Sequence, residues 1–327
     1  MSYYVFSVTL IIFSLNVLSA ENYYREKSSL MGTDFLLVID EDNKTLCKKA
    51  SKEAFGEVVR LNHIFSDYIN DSEISLLSAS SYDGDFRNVS TDLFKLLRIS
   101  NQVSEKTQGA FDVTLGPLSR IWRVSRFRNS MPNKQKLLQA QKRVGFKKIK
   151  FHPNEKKVAL QTPGMILDMG GIAKGYAADR MLSVMRANGI TRCLIDAGGD
   201  LVIGKPPRGK RGWSVRIGEK IEDPLEVLSL SECAIATSGD VEKSVSIGDR
   251  KFSHIIDPST GIGLTNSVQV TVIANDGTHA DAYASAFSVM GFEKAKNLSH
   301  DQNPSLITAY LQNQKGKKAH IKTISFR

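Results

Sequence analysis

Hydrophobic and polar positions alternate along the chain with two different periods, which predict interleaved helices and strands. Four segments carry apolar residues at helical spacing, and the pattern predicts helices over residues 43–69, 91–106, 173–187 and 278–291. Thr91 is a candidate N-cap of the second helix. Asn188-Gly189 is predicted to end the third helix and Gly291 the fourth, because glycine accepts the left-handed backbone found at helix ends.

Short apolar runs predict the strands. Strands are expected over residues 34–40, 192–199, 213–218 and 268–274, and a hairpin over residues 146–161 with its turn at Pro153 and Asn154. Helices interleave with strands, yet hairpins are also present. This combination predicts an α+β protein with mixed, largely antiparallel sheets and flanking helices. Since the chain has neither a fixed-period repeat nor a linker rich in Pro, Gly and Ser, a single compact domain is expected.

The first twenty residues differ from the rest of the chain. They contain no charged side chain and end in small residues, which is typical of a secretory signal peptide. The usual Lys or Arg near the start is missing, so an uncleaved anchor is the alternative. The expected organisation is a signal segment over residues 1–20 and one domain over residues 21–327. The expected location is the periplasm or cell envelope, with the protein soluble after cleavage or held by its N-terminal anchor.

Composition excludes several classes of protein. The chain is 41% hydrophobic and 24% charged, which is ordinary for a globular protein and argues against extended disorder. Three cysteines without CxxC spacing exclude a disulfide framework and a zinc site. The net charge of +10 is concentrated in basic clusters at 142–150, 205–211 and 315–322. No nucleic-acid-binding motif accompanies them, so solvated surfaces are favoured and no nucleic-acid partner is expected.

Asp281 and Ser285 are the first candidates for chemistry. A spacing of four places both side chains on one helix face, and a carboxylate with a hydroxyl suits a hard cation such as Mg²⁺. Capping of a helix by Asp281 is the alternative. Acids also stand beside glycines in three turns, where bare backbone lets a ligand approach closely: 168–171, 196–200 and 238–240. A fourth acid turn, Asp257-Pro258, follows the apolar run after His254.

The segment LDMGGIAKGYAADR (167–180) combines an acid, a glycine turn and a predicted helix start. Its spacing fits neither a Walker A loop nor a dinucleotide GxGxxG fingerprint. The helix N-terminus and Lys174 still form a plausible anion site. Because Asp168 beside a phosphate needs a compensating cation or donor group, the local chemistry favours a phosphorylated ligand together with a divalent metal.

Eight segments together resemble the ApbE-type FAD:protein FMN transferases, from about Met31 to Phe292. In family order they are MGT (31–33), FSDYINDSEIS (65–75), GAFDVTLGPL (109–118), LDMGGIAKGYAADR (167–180), DAGGD (196–200), ATSGD (236–240), HIIDPSTG (254–261) and ADAYASA (280–286). The resemblance implies binding of FAD and Mg²⁺. It also implies transfer of FMN to a threonine, or sometimes a serine, of an acceptor protein with release of AMP.

The resemblance also implies roles for particular residues. Those implied to contact FAD are Met31, Tyr68, Ala110, Phe111, Asp112, Asp168, Lys174 and Ile255. The metal would be held by the backbone carbonyl of Gly171 and the side chains of Asp281 and Ser285. His254 is the implied general base, since imidazole exchanges protons near neutral pH, and Asp257 would support its loop.

Several positions depart from the family pattern. Leu76 and Ser259 replace arginines, Ser78 and Asp196 replace asparagines, and Val113, Val241 and Ser285 replace a proline, an aromatic residue and a threonine. Two alternatives stay open: an FAD pyrophosphatase, because some family members hydrolyse FAD to FMN and AMP, and a non-catalytic flavin-binding protein, which the two lost arginines favour. The family implies a membrane-associated electron-transfer subunit as acceptor. A monomer or weak dimer is expected.

Overall fold

An eight-stranded antiparallel sheet organises the fold in this computed structural model, which describes residues 23–217, 226–239, 244–265, 268–298, 305–315 and 318–325. The strands are β1 (Tyr24–Leu30), β2 (Thr33–Ile39), β3 (Arg87–Asn88), β4 (Ile149–Phe151), β5 (Lys157–Leu160), β6 (Cys193–Ala197), β7 (Leu201–Ile203), β8 (Trp213–Ile217), β9 (Glu226–Leu230), β10 (Cys233–Ser238), β11 (Val245–Ile247), β12 (Arg250–Phe252), β13 (Ile256–Asp257), β14 (Ile262–Gly263), β15 (Val268–Ala274), β16 (Leu306–Lys315) and β17 (Lys318–Ser325). The large sheet has the order β1-β2-β6-β7-β10-β15-β16-β17, and each neighbouring pair is antiparallel.

The helices of the described chain are α1 (Lys44–Phe65), α2 (Glu73–Ala79), α3 (Thr91–Lys106), α4 (Gly116–Arg128), α5 (Lys134–Gln141), α6 (Ala173–Ala187) and α7 (Gly277–Asn297). Helices α4 and α5 pack in a separate apolar cluster with Val245, Phe252 and Ile256. Helices α1, α6 and α7 bury their apolar sides with the inner face of the sheet in one large core. The opposite face is covered by the β8–β9 hairpin, where Trp213 and Val215 pack on Leu194 and Ile203. Within the described segments, none of the helices is long and apolar enough to span a membrane.

The predicted α+β class is confirmed, and most predicted elements lie within a few residues of the observed ones. Helix α3 occupies the predicted span, but Ser90 rather than Thr91 caps it, because the Ser90 hydroxyl accepts the Leu93 N–H at 3.1 Å. Helix α1 ends at Phe65, short of the predicted 69. Gly291 does break α7, with φ of 69°, yet helical backbone resumes and continues to Asn297.

The closest approach between helices lies where α6 crosses α7. A Cβ atom on Gly175 would lie 2.0 Å from the carbonyl oxygen of Gly277, so only glycine fits there. Asp179 of α6 accepts hydrogen bonds from the N–H groups of Gly277 at 2.7 Å and of Thr278 at 2.9 Å. The start of α7 is therefore fastened to α6, and Asp281 lies against the first turn of α6, where it accepts the Gly175 N–H at 3.2 Å.

Gly175→Ala is expected to lower the free energy of unfolding by about 1–3 kcal/mol or more, because the new methyl group collides with backbone that cannot move independently. Gly56→Ala in α1 is the matched control, since nothing lies within 4 Å of its Cβ position. There alanine should raise stability by about 0.5–1 kcal/mol through its higher helix propensity. Urea denaturation of both variants measures the contrast; equal effects would contradict the close-packing account.

Candidate functional site

Several of the glycine turns meet at one end of the large sheet. The β1–β2 turn at Met31-Gly32 and the β6–β7 turn at Gly198-Gly199 both use left-handed backbone, with φ of 50° at Met31 and 69° at Gly198. They touch: a Cβ on Gly198 would lie 2.1 Å from the Thr33 hydroxyl oxygen. The structure therefore places predicted flavin contact Met31 beside the DAGGD turn.

The three residues predicted to hold a metal also lie together. A Cβ on Gly171 would lie 2.9 Å from the Ser285 hydroxyl oxygen and 3.5 Å from the ring of Phe111. Asp281 is one helical turn from Ser285 on α7 and is 6% exposed. A carbonyl, a carboxylate and a hydroxyl are hard oxygen donors of the kind that Mg²⁺ prefers, so the residues present fit that ion.

A second observation limits the kind of metal site. Within the described part of the chain, no three His, Cys, Asp or Glu side chains are grouped so as to hold a metal ion. The set Gly171, Asp281 and Ser285 would supply one carboxylate together with a backbone oxygen and a hydroxyl oxygen. The turn ATSGD (236–240) is described only in part, because Asp240 and Val241 lie outside the described residues.

Lys174 lies between two carboxylates. Its Nζ atom contacts Asp200 directly and lies 3.9 Å from the Asp281 Oδ2 atom. Burial works against the charge of Lys174, but the two carboxylates outweigh it and raise its pKa. Burial raises the pKa of Asp281, with repulsion from Asp200 in the same direction and attraction to Lys174 opposing it. The cluster therefore holds two acids to one cation, an excess of negative charge that a divalent ion would relieve.

Asp168 has a cationic partner that sequence patterns did not reveal. Arg123 of α4 lies 3.1 Å from the Asp168 Oδ2 atom and 2.6 Å from the Asp67 Oδ2 atom. Its guanidinium also lies 4.2 Å from the centre of the Tyr68 ring, which is 74% exposed. Arg123 thus links Asp168 to predicted flavin contact Tyr68. Arg123 therefore supplies a guanidinium at the site, although Leu76 and Ser259 replace the arginines of the family pattern.

One sequence signal existed for the helix that carries Arg123. Gly116-Pro117 opens α4, and proline in the first turn is a common helix start. Beyond it, Leu118, Trp122 and Ser125 recur at helical spacing and are buried. This pattern predicts the helix, with Arg123 next to its buried face, but nothing local predicts contact with Asp168.

The GAFDVTLG segment lies alongside the residues that lead to Asp168, with a β-bridge between Leu115 and Ile166. The Asp168 N–H donates to the Val113 carbonyl at 2.7 Å, and Phe111 is buried against Gly171. Asp112 points into its own loop, where its carboxylate accepts hydrogen bonds from Thr114 at 2.6 Å and from the Phe146 N–H at 2.9 Å. Burial raises the pKa of Asp112 in spite of these hydrogen bonds. Ala110 is half-buried just before it.

The loop that carries His254 is fastened to α4. Trp122 donates its indole N–H to the Gly261 carbonyl at 2.9 Å, and Asp257 accepts both the N–H and the hydroxyl of Ser259, at 2.8 and 2.7 Å. His254 is exposed, and the half-buried Ile255 pairs with Leu264 across the loop. The loop and Arg123 are therefore positioned by one helix.

Two departures from the family pattern have a visible structural role. Ser78 is buried and accepts the Leu167 N–H at 3.1 Å, so it holds the backbone just before Asp168. Asp196 accepts the Gly199 N–H at 2.7 Å across the β6–β7 turn. Burial raises the pKa of Asp196 to about 6, and the nearby charge of Asp200 adds to this shift.

Oxygen donors at a helix start, with Lys174 and Arg123 nearby and two carboxylates beside each of them, suit a phosphorylated ligand bound with a hard cation. A model of the ApbE family matches residues 31–311, and the chain belongs to this family. It is 28% identical over 263 residues to the FAD:protein FMN transferase of Treponema pallidum, covering 75% of this chain and 72% of that protein. The corresponding protein of Haemophilus influenzae is 26% identical over 287 residues, covering 84% and 82%.

Solved structures agree with this assignment. The ApbE protein from Thermotoga maritima superimposes with a TM-score of 0.80 and 27% identity, covering 92% of this chain and 97% of that one. The flavin transferase ApbE from Vibrio cholerae gives a TM-score of 0.80 at 24% identity, covering 94% and 98%, and shows the shared fold.

Asp196→Asn is expected to make the protein more stable at neutral pH. Between pH about 4 and about 6 the unfolded chain loses the Asp196 proton while the folded protein keeps it. The free energy of unfolding of the wild type therefore falls as pH rises through this window. The variant retains an oxygen for Gly199 and lacks this penalty, so it should gain up to about 2–3 kcal/mol at pH 7 and only about 0.5 kcal/mol at pH 4.

Chemical denaturation of wild type and variant at both pH values measures this gain. Asp34→Asn is the control, because the pKa of Asp34 is lowered by its partners Lys27 and Ser29. Its variant should lose rather than gain stability at pH 7. A gain of the same size at pH 4 and pH 7 for Asp196→Asn would contradict the buried-charge account.

Proposed function

We propose that this chain transfers FMN from FAD to the hydroxyl group of a threonine or serine in an acceptor protein, with Mg²⁺ bound and AMP released. One observation supports this proposal above the others: Gly171, Asp281 and Ser285, far apart in sequence, converge on one oxygen-lined position at the start of α6. Membership of the ApbE family supports the same reaction, since curated relatives are named FAD:protein FMN transferases.

The proposed reaction divides its work among the site residues. When bound, Mg²⁺ supplies positive charge that stabilises the pyrophosphate as charge develops on it. The hydroxyl oxygen of the acceptor forms a bond to the phosphorus of FMN, and the bond from that phosphorus to the oxygen of AMP breaks. The hydroxyl proton passes to a ring nitrogen of His254, whose exposed position allows an incoming protein to reach it.

Other residues bind and orient FAD in this proposal. Tyr68 offers an exposed ring for the flavin, held in place by Arg123. Asp168 shares Arg123 with Asp67 and can accept hydrogen bonds from donor groups of the ligand. Asp112 holds the conformation of the GAFD loop, and Asp257 holds the turn that follows His254. FAD hydrolysis to FMN and AMP would use the same site with water in place of the acceptor.

The proposal extends to the setting of the reaction. An exported protein, held at the cell envelope by residues 1–20 or released by their cleavage, would meet an acceptor in the same compartment. A membrane-associated electron-transfer subunit is the acceptor that fits this setting. Arg123 favours an enzyme over a non-catalytic flavin-binding protein, because it supplies a guanidinium at the site where Leu76 and Ser259 replace the arginines of the family pattern.

Asp281→Asn is expected to reduce FMN transfer by roughly a hundredfold or more, because it removes a charged metal ligand worth several kcal/mol. Ser285→Thr is the matched control on the same helix face and keeps the hydroxyl, so it should remain active. The assay incubates each protein with FAD, Mg²⁺ and an acceptor domain, then detects flavin fluorescence on a denaturing gel and free AMP.

A fluorescent acceptor band with AMP, lost only in Asp281→Asn, supports the proposal. Free FMN and AMP without a band identify a hydrolase, and unchanged FAD identifies a flavin-binding protein. Full transfer by Asp281→Asn at saturating Mg²⁺ refutes the assigned ligand.

Tyr68→Ala is expected to weaken FAD binding roughly three- to tenfold, since an aromatic stacking contact contributes about 0.5–1.5 kcal/mol. Tyr82→Ala is the matched control, because Tyr82 is equally exposed, at 73% against 74%, but lies outside the site segments. Calorimetric titration of FAD into each variant measures the affinity. Equal affinities for the two variants would exclude the assigned role of Tyr68.

A further inference from the structure

Segments distant in sequence form one basic surface at the end of the large sheet opposite the candidate site. The basic face comprises exposed cations of α1 and of the loops before β6 and β8: Lys44, Lys48, Lys49, Lys52, Arg192, Lys205, Arg208, Lys210 and Arg211. Arg208 joins the loop to α1, because its guanidinium binds Asp40 at 2.8 Å and Asp42 at 2.5 Å, just before the helix begins. The Asp40 N–H donates to the Arg192 carbonyl at 2.9 Å, which adds Arg192 to the same surface.

The basic face keeps a clear excess of positive charge. Among the described residues, nine cations of this face are accompanied by the acids Asp40, Glu41, Asp42 and Glu53. Arg208 pairs with Asp40 and Asp42, and Lys49 lies 4.0 Å from Glu53. Lys44, Lys48 and Lys52 follow one another at intervals of four along α1, a spacing at which like charges destabilise an isolated helix. These three lysines are therefore suited to an anionic partner.

The apolar start of the chain joins the fold beside this face. Tyr23, the first described residue, packs its ring 5.3 Å from that of Trp213, and Trp213 donates its indole N–H to the Lys205 carbonyl at 2.9 Å. The described chain thus begins next to the loop 205–211, and the uncharged residues 1–20 precede it in the sequence. The candidate site lies at the far end of β2, whose seven residues extend from Thr33 at the site to Ile39, a length of roughly 20 Å.

We propose that the basic face lies on the anionic headgroups of a phospholipid membrane, with the apolar residues 1–20 entering the same membrane. Lysine and arginine side chains are attracted to anionic lipid within about 10 Å of its surface. An apolar segment and a basic patch together hold a protein at a membrane more firmly than either alone. In this orientation the candidate site faces away from the lipid. The proposal does not depend on FMN transfer.

Vesicle co-sedimentation of the full chain tests the proposal, with phosphatidylcholine vesicles prepared with and without phosphatidylglycerol. The variant Lys44→Gln, Lys48→Gln, Lys49→Gln, Lys52→Gln removes the α1 row. The matched control, Lys134→Gln, Lys136→Gln, Lys147→Gln, Lys150→Gln, removes four exposed lysines elsewhere on the described surface. Thermal melting of both variants checks that folding is unchanged.

The wild type and the matched control should bind vesicles more strongly when phosphatidylglycerol is present, and high salt should abolish the difference. The α1 variant should lose the phosphatidylglycerol-dependent binding by roughly tenfold or more. Equal losses in both variants, or binding that ignores phosphatidylglycerol, would overturn the proposal. So would binding of duplex DNA that needs the four α1 lysines while anionic vesicles remain unbound.

Discussion

The backbone contact between α6 and α7 is the constraint on which the candidate site depends. Gly175 and Gly277 allow the two helices to approach until one backbone touches the other. Asp179 then fixes the first turn of α7 through three hydrogen bonds. Only this approach brings Asp281 and Ser285, which belong to α7, up to Gly171 at the start of α6. The close packing of small residues thus sets the geometry of a polar site.

Two clusters of charged side chains lie near the start of α6, and each contains two acids for one cation. Lys174 lies with Asp200 and Asp281, and Arg123 lies with Asp67 and Asp168. Buried acids in excess are unfavourable unless a further cation or hydrogen-bond donor satisfies them. The first cluster, next to the hard oxygen donors, favours a metal ion. The second, next to the exposed ring of Tyr68, favours ligand donor groups.

The sequence predicted those parts of the fold and site that depend on local pattern. Helical periodicity located α3 and α6, glycine turns located the sheet end, and spacing placed Asp281 and Ser285 on one helix face. Family motifs grouped Gly171 with them. The predicted N-cap of α3, Thr91, was wrong: Ser90 and Thr91 are both good N-cap residues, and only backbone geometry decides between them.

Contacts between distant segments were beyond local pattern. Arg123 meets Asp168 through packing of α4 across 45 residues of sequence, and Lys174 meets Asp200 through the position of the β6–β7 turn. The helices α2 and α5 are only seven and eight residues long, so periodicity did not single them out. Helix α4 carried a start signal at Gly116-Pro117 and an apolar stripe but was not identified from the sequence. The basic face likewise arises from Arg208 bridging the loop to α1, which no sequence spacing indicates.

A crystal structure of the protein with FAD and Mg²⁺ tests the central claim most directly. The account predicts metal density bounded by the Gly171 carbonyl, the Asp281 carboxylate and the Ser285 hydroxyl, with the FAD pyrophosphate against it and the flavin near Tyr68. Metal bound elsewhere, or FAD bound away from the start of α6, would contradict the account.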